Sequence, residues 1–329
     1  MTSPSDERTM PASTLRPGLP SLGGDRALLL LLALFALAPL VLEAYLVGEL
    51  TRVMIYGMAA CAVGFAIRHG GLVSFGHAAF FGMGAYCVLM ARNAGYQDAL
   101  LLWPLALLAV ALLALVIGLL SLRTGGVAFI MITLGFAQMV YFVISGSQSL
   151  GAADGLPLFG RDMLAGISLD ATDAFHYLVL VALGLVLLVM TRLSRSPAGL
   201  ALRGIAHDER RMKALGYAPK RLQLTSFVFS AVVAGFAGVL AANFYQFVGP
   251  AYLHWLVSGE LLVMVALGGI ASLSGGLFGA LILVLFEAVF SEYTTYWRIF
   301  LGPAVILSVL YLHKGVHPAL ERLLGGRDD

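Results

Sequence analysis

Apolar runs close to the roughly 20 residues that a bilayer-spanning helix requires recur along this chain, separated by short polar breaks. They predict about ten helical segments: Ala27–Val47, Val53–Ile67, Val73–Ala91, Leu100–Leu122, Val127–Ser145, Phe175–Thr191, Leu222–Ala242, Ser258–Leu273, Leu277–Ser291 and Ile299–Leu312. The second, eighth and ninth are short for full crossings. Gly268, Gly269, Gly275, Gly276 and Gly279 predict broken or partial helices in that region, tolerated where protein or a cavity covers the backbone. Residues 1–26 are rich in Ser, Pro, Thr and Gly without apolar periodicity and read as a disordered tail. Leu28–Ala38, flanked by Arg26, resembles the core of a signal peptide. Its apolar run continues to Val47, too long for that purpose, so it reads as the first span. The fold class is all-α: a polytopic membrane domain over 27–314, followed by a short cytoplasmic tail over 315–329.

Composition sharpens this. Hydrophobic residues make up 60% of the chain and charged ones 12%, against about 25% charged in a soluble domain, so most of the surface must face lipid or protein. Arg192, Arg195, Arg203, Arg210, Arg211, Lys213, Lys220 and Arg221 crowd one loop, 192–221, against Asp208 and Glu209. Short loops this basic stay on the cytoplasmic side of a membrane. With a cytoplasmic N-terminus, about sixteen of the 20 Lys and Arg lie inside, leaving Arg52, Arg92, Arg161 and Arg298 outside, and both termini are cytoplasmic. The largest external loop, 146–174, carries Asp154, Asp162, Asp170 and Asp173 against Arg161. It is a cover for the outer mouth, a surface for an external partner, or a mobile connector.

The chain lacks the signatures of chemistry. No Lys follows a Gly, so there is no phosphate-cradling loop for ATP. There is no His-Glu-x-x-His and no Cys-x-x-Cys, and Cys61 and Cys87 lie in apolar stretches as buried thiols. No catalytic residue, metal site, cofactor or nucleic-acid partner is expected. Transport would draw on an ion gradient or on a separate ATPase. Ion coupling leaves ionisable groups deep in the spans. Glu43, Glu260 and His176 fall near segment ends, where interfacial solvation accounts for them, whereas Glu287 lies deeper and could face a cavity.

Two stretches have further internal logic. In GLVSFGHAAFFGMGAY, Gly71 to Tyr86, Gly76, Gly82 and Gly84 with Ala78, Ala79 and Ala85 suit close helix packing. Ser74 can cap the helix start, placing His77 at the positive end of its dipole, where a substrate carboxylate could bind; the alternative is a bond from His77 to a backbone carbonyl. In the basic loop, Ser196-Pro197 reads as a helix start with Leu202 and Ile205 on one face. Asp208 caps a second short helix that stops at Gly216 and has Met212 and Leu215 as its apolar edge. Such a helical pair suits a groove on a cytoplasmic partner or adsorption to anionic membrane lipid.

These stretches resemble the branched-chain amino acid ABC transporter permeases of the LivM-like group. The resemblance rests on GLVSFGHAAFFGMGAY, on RTGGVAFIMITLGFAQMV from Arg123 to Val140, and on GAADGLP from Gly151 to Pro157. RSPAGLALRGIAHDERRMKALGY from Arg195 to Tyr217 and MVALGGIASLSGGLFGA from Met264 to Ala280 complete it in family order. The chain departs from the pattern at Gly151-Ala152-Ala153, where Thr-Gly-Gly is common, and at Gly275-Gly276, where Gly-Pro is common. The resemblance implies a permease subunit of an ABC importer in the bacterial cytoplasmic (inner) membrane. Its partners would be a second homologous permease, two cytoplasmic ATP-binding subunits and an extracytoplasmic solute-binding protein. It implies an ATPase contact at Gly199, Arg203, Asp208, Glu209, Ala214, Leu215 and Gly216. The solute would be a branched-chain amino acid, with urea, short amides and aromatic acids also associated with the group. His77, Phe80, Phe81 and Glu287 are the candidate pathway residues. An ion-coupled transporter or channel and a membrane scaffold are the alternative readings.

Overall fold

A computed structural model describes residues 26–164, 166–270 and 272–293, with 299, 302 and 303. The 1–25 tail, nearly all of the tenth segment Ile299–Leu312 and the 315–329 tail lie outside the described residues. Eleven helices are described in chain order: α1 Arg26–Val41, α2 Ala44–Gly70, α3 His77–Asn93, α4 Ala99–Ser121, α5 Val127–Ser145, α6 Thr172–Arg195, α7 Pro197–His207, α8 Glu209–Ala214, α9 Pro219–Tyr245, α10 Trp255–Gly268 and α11 Gly275–Tyr293. Four two-residue strands form two antiparallel pairs: β1 Leu156–Pro157 with β4 Phe247–Val248, and β2 Met163–Leu164 with β3 Ile167–Ser168. Helices α2, α4, α5, α6 and α9 are each long and apolar enough to cross a membrane. The molecule is a polytopic α-helical membrane protein.

Burial sorts the helices. α2 and α9 are buried along most of their length and form the centre. α4 and α5 turn Leu101, Leu105, Leu108, Leu112, Met131 and Met139 outward, the side-chain types that lipid tails accept. Glycine sets the closest approach. A Cβ at Gly84 would overlap the Gly235 carbonyl, and one at Gly238 would overlap the Phe81 carbonyl, so α3 and α9 pack backbone to backbone.

The first two predicted segments are divided elsewhere. α1 carries Pro39 and ends at Val41, and the turn falls at Leu42–Glu43. α2 then runs unbroken for 27 residues, straight through Gly48-Glu49-Leu50-Thr51-Arg52, the stretch that reads as a polar break. At about 1.5 Å per residue it is about 40 Å long, a full crossing and not a short one. Arg52 therefore lies within a helix, not in a loop.

The glycine-rich region forms a hairpin. α10 has 14 residues, about 21 Å, too short to cross about 30 Å of hydrocarbon. Its Val265 packs on Gly64 of α2, and Gly276 at the start of α11 meets Ala60 and Cys61. Leu277 then meets Gly57, and Glu287 reaches back to Arg52. α11 thus runs antiparallel to α2. Gly268, Gly275 and Gly279 let the two arms touch through their backbones, including the Met264 carbonyl.

Candidate functional site

At the end of the bundle where α2, α4 and α6 finish, α7 and α8 form a basic corner. Ser196 caps α7, accepting from the Gly199 amide at 3.2 Å, and Pro197 occupies the first turn. Asp208 caps α8, accepting from the Arg211 amide at 3.1 Å. Gly216 sits at φ +88°, its amide bonding the Lys213 carbonyl and that of Tyr217 the Met212 carbonyl, the paired bonds of a left-handed helix stop. Leu202 and Ile205 are buried on one face of α7. The seven residues of the predicted contact divide. Asp208, Glu209, Ala214, Leu215 and Gly216 are exposed, Arg203 is half-buried, and Gly199 is buried where a Cβ would overlap the Leu193 carbonyl. Gly199 therefore makes the α6–α7 corner possible. Met212 packs against Gly204, while Leu215 is 66% exposed.

The corner is tied to the membrane helices. Ala206 of α7 packs on Gly71, at φ +64° the stop of α2. His69 and Ser194 share a 2.8 Å hydrogen bond, and Gln223 donates to the Gly70 carbonyl at 3.3 Å. Between α7 and the helix ends lies a cavity of about 530 Å³, lined by Leu72, Arg123, Gly126, Ile205, His207 and Lys220 among others.

A second polar cluster lies inside the bundle. Arg52 pairs with Glu49 one turn earlier at 3.4 Å and with Glu287 of α11. The Arg52 and Glu287 side chains are 22% and 23% exposed. The guanidinium lies 5.9 Å from the Tyr56 ring centroid, and Tyr56 stacks on Phe81 at 5.6 Å. Arg52, Tyr56, Glu260, Met264 and Glu287 line a cavity of about 160 Å³. Leu283 and Glu260 also border a neighbouring cavity of about 520 Å³, walled by Phe75, Trp255, Leu256, Val263 and Ala266.

The four predicted pathway residues do not come together. Glu287 lines the polar cavity, with Phe81 one ring away behind Tyr56. His77 and Phe80 face elsewhere: His77 shares a 3.1 Å hydrogen bond with Ser230 of α9, and both rings meet Phe227 edge-on. Ser74 accepts from the Gly76 amide at 3.0 Å, and the free Ala78 amide is capped from another helix, by Ser258 at 2.8 Å. The helix start is thus closed by protein groups.

At the opposite end, the 146–171 connection is pinned down. Asp162 is buried, accepting from Trp103 Nε1 at 3.0 Å and Asn243 Nδ2 at 2.9 Å, while its own amide donates to Asn243 Oδ1 at 2.8 Å. Arg161 donates to the Leu169, Asp170 and Asn243 carbonyls and lies over the Phe175 ring at 4.5 Å. Burial lowers the pKa of this guanidinium, and nearby Asp170 acts in the other direction.

Comparison with known proteins places these features. The family described as "Branched-chain amino acid transport system / permease component" matches residues 45–310. The chain belongs to this family. The permease protein LivM of the high-affinity branched-chain amino acid transport system of Escherichia coli K12 is 29% identical over 91% of this chain and 77% of its own length. LivH of the same organism is 31% identical over 47% of this chain and 51% of its own. BraD of Pseudomonas aeruginosa is 26% identical over 70% and 80%. No solved structure matches.

As a member of that family, this permease is a component of a transport system and not itself a catalyst. Among its described residues no group of three or more His, Cys, Asp and Glu is placed to hold a metal. Both the basic corner and the Arg52 cluster fall within the matched region. Sequence reasoning singled out the corner and Glu287 but not Arg52 and Tyr56, because Arg52 read as a loop residue. The signal was present in the spacing of Glu49 and Arg52, which lets a helix neutralise its own charge and continue.

Proposed function

We propose that this permease is the membrane-spanning subunit of an ATP-driven importer of branched-chain amino acids in the bacterial cytoplasmic membrane. It works with a second homologous permease, two cytoplasmic ATP-binding subunits and an extracytoplasmic solute-binding protein. In this reading the chain has about ten membrane segments with both termini cytoplasmic, some of them partial, and nearly all of the tenth, Ile299–Leu312, lies outside the described residues. The basic corner then faces the cytoplasm, as the distribution of Lys and Arg requires.

The observation that carries this reading is the pair α7–α8. It presents Glu209, Ala214, Leu215 and Gly216 outward while α7 packs on the ends of α2 and α6. A partner pushing on α8 displaces α7 through Met212 and Gly204, and α7 presses on Gly71 where α2 turns toward α3. Closure of two ATP-binding subunits would thus reach α2, the helix that carries Arg52. Glu287 is a group along the path. His77, Phe80 and Phe81 act from the α3–α9 seam, which must loosen for His77 and Phe80 to meet solute.

The test is purification of the tagged chain from its native membranes in gentle detergent, with mass spectrometry of its companions and leucine uptake by the recovered complex. ATP-binding subunits and a second permease are expected, lost on Glu209→Lys, with uptake strictly requiring ATP. Uptake by the chain alone, driven by an ion gradient and abolished by Glu287→Gln, would replace this reading with an ion-coupled transporter.

A further inference from the structure

The cavity behind the basic corner gathers basic side chains that meet no counter-charge. Arg123 comes from the turn between α4 and α5, His207 from the end of α7 and Lys220 from the first turn of α9. All three are exposed, and none has an ion pair or hydrogen bond among the described residues. Glu209 is the one carboxylate on the lining, and it bonds none of them. Like charges gathered in this way repel, and a bound anion relieves that repulsion. Much of the remaining wall is apolar, with Leu72, Leu122, Phe129, Ile130 and Ile205. Its volume of about 530 Å³ lies within the range of about 300–1,000 Å³ that small-molecule sites occupy.

The cavity lies where the lipid-facing surface ends. Leu119 and Leu120 at the end of α4 are exposed, as are Val127 and Met131 at the start of α5. Residues 122–126 between them form one wall of the cavity. We propose that this cavity binds the headgroup phosphate of an anionic phospholipid from the adjoining leaflet. Basic pockets between membrane helices hold such headgroups. The phosphate accepts from Arg123, whose planar fork suits it, and from Lys220 across the mouth. The acyl chains run along the exposed apolar faces of α4 and α5, a continuity that a soluble anion would not use. Bound there, the lipid joins the α4–α5 turn to the end of α7 and the start of α9. This site requires only that the chain lies in a bilayer, and it stands apart from the identity of the solute.

The experiment is titration of the detergent-purified transporter with dioctanoyl phosphatidylglycerol, with lipid adducts counted by native mass spectrometry. Saturable binding is expected, with dioctanoyl phosphatidylcholine binding more weakly. Arg123→Gln and Lys220→Gln should each weaken binding about fivefold, and the two together about thirtyfold. Neither side chain has a partner to lose, so both variants should fold as the wild type does. Arg210→Gln with Arg211→Gln removes the same charge from exposed positions off the cavity and should change binding less than about twofold. Glycerophosphoglycerol, the headgroup without its chains, should displace the lipid poorly. Absence of saturable binding would overturn the assignment. Equal losses in the two double variants would replace it with diffuse adsorption to the basic loop, and displacement by the soluble headgroup as effective as by lipid would replace it with a soluble-anion site.

Discussion

Arg52 shows how much one residue's surroundings decide. In water a surface arginine three residues after a glutamate contributes little. Here the same pair is joined by Glu287 from a helix 235 positions away, in a bundle centre only about a fifth exposed. Removing Arg52 strands two carboxylates, whereas removing Glu287 leaves Arg52 its bond to Glu49. Arg52→Gln should therefore lower the melting temperature in detergent more than Glu287→Gln, and the double variant should lose less than the two singles summed. Additive losses would mean that the two side chains act independently. Glycine offers a second contrast. Gly238→Val must push apart the α3–α9 seam at the Phe81 carbonyl, at a cost of about 1–3 kcal/mol. Gly184→Ala in α6, where a Cβ meets nothing within 4 Å, should be neutral or stabilising. Thermal denaturation of the two variants separates close packing from mere helix content.

Elements in this permease are closed by devices of two ranges. α7 and α8 are closed locally by Ser196, Asp208 and Gly216, all within a few residues of the groups they satisfy. Gly216→Pro removes an amide that bonds Lys213 and forbids the positive φ, so the end of α8 and Leu215 should be displaced. Co-purification of the ATP-binding subunits should fall while membrane insertion stays intact; undiminished co-purification would exclude this corner as their contact. The 146–171 connection is closed at long range instead. It is held by Asp162 against α4 and α9, two helices remote from it in sequence. Asp162→Ala leaves the Trp103 donor without its acceptor, at about 1–3 kcal/mol, and removes one of the two acceptors of Asn243 Nδ2. Limited proteolysis should then cut this connection faster than in the wild type, with the helices intact. An unchanged rate would mean that Arg161, Arg92 and the β1–β4 pair hold it without Asp162.

For the whole molecule, one helix joins the basic corner to the polar cavity around Arg52. α2 touches α7 at its end, α11 along its length and the Arg52 pair in its first third, and α9 buries its other side. If the corner is displaced as proposed, α2, 27 residues long and buried along most of its length, is the close-packed connection to that cavity. The α10–α11 hairpin completes the polar cavity with Glu260, Met264 and Glu287.

Much of this was legible in the chain itself. Apolar runs and local caps predict the membrane class, most helix positions and the α7–α8 pair, because hydrophobic length and capping act between residues near in sequence. Family motifs add the transport role. What remained closed to sequence reasoning depends on contacts made after folding. That Arg52 meets a second carboxylate inside the bundle follows from the seating of α11 and its Glu287 on α2. The hairpin's depth follows from Gly276 and Leu277 seating on α2, the pinned connection from Asp162 and Asn243, and the separation of His77 from Glu287 from the crossing of α3 and α9. A charge inside a helix looks the same in sequence whether it will meet water or a partner, and only the tertiary structure supplies the partner.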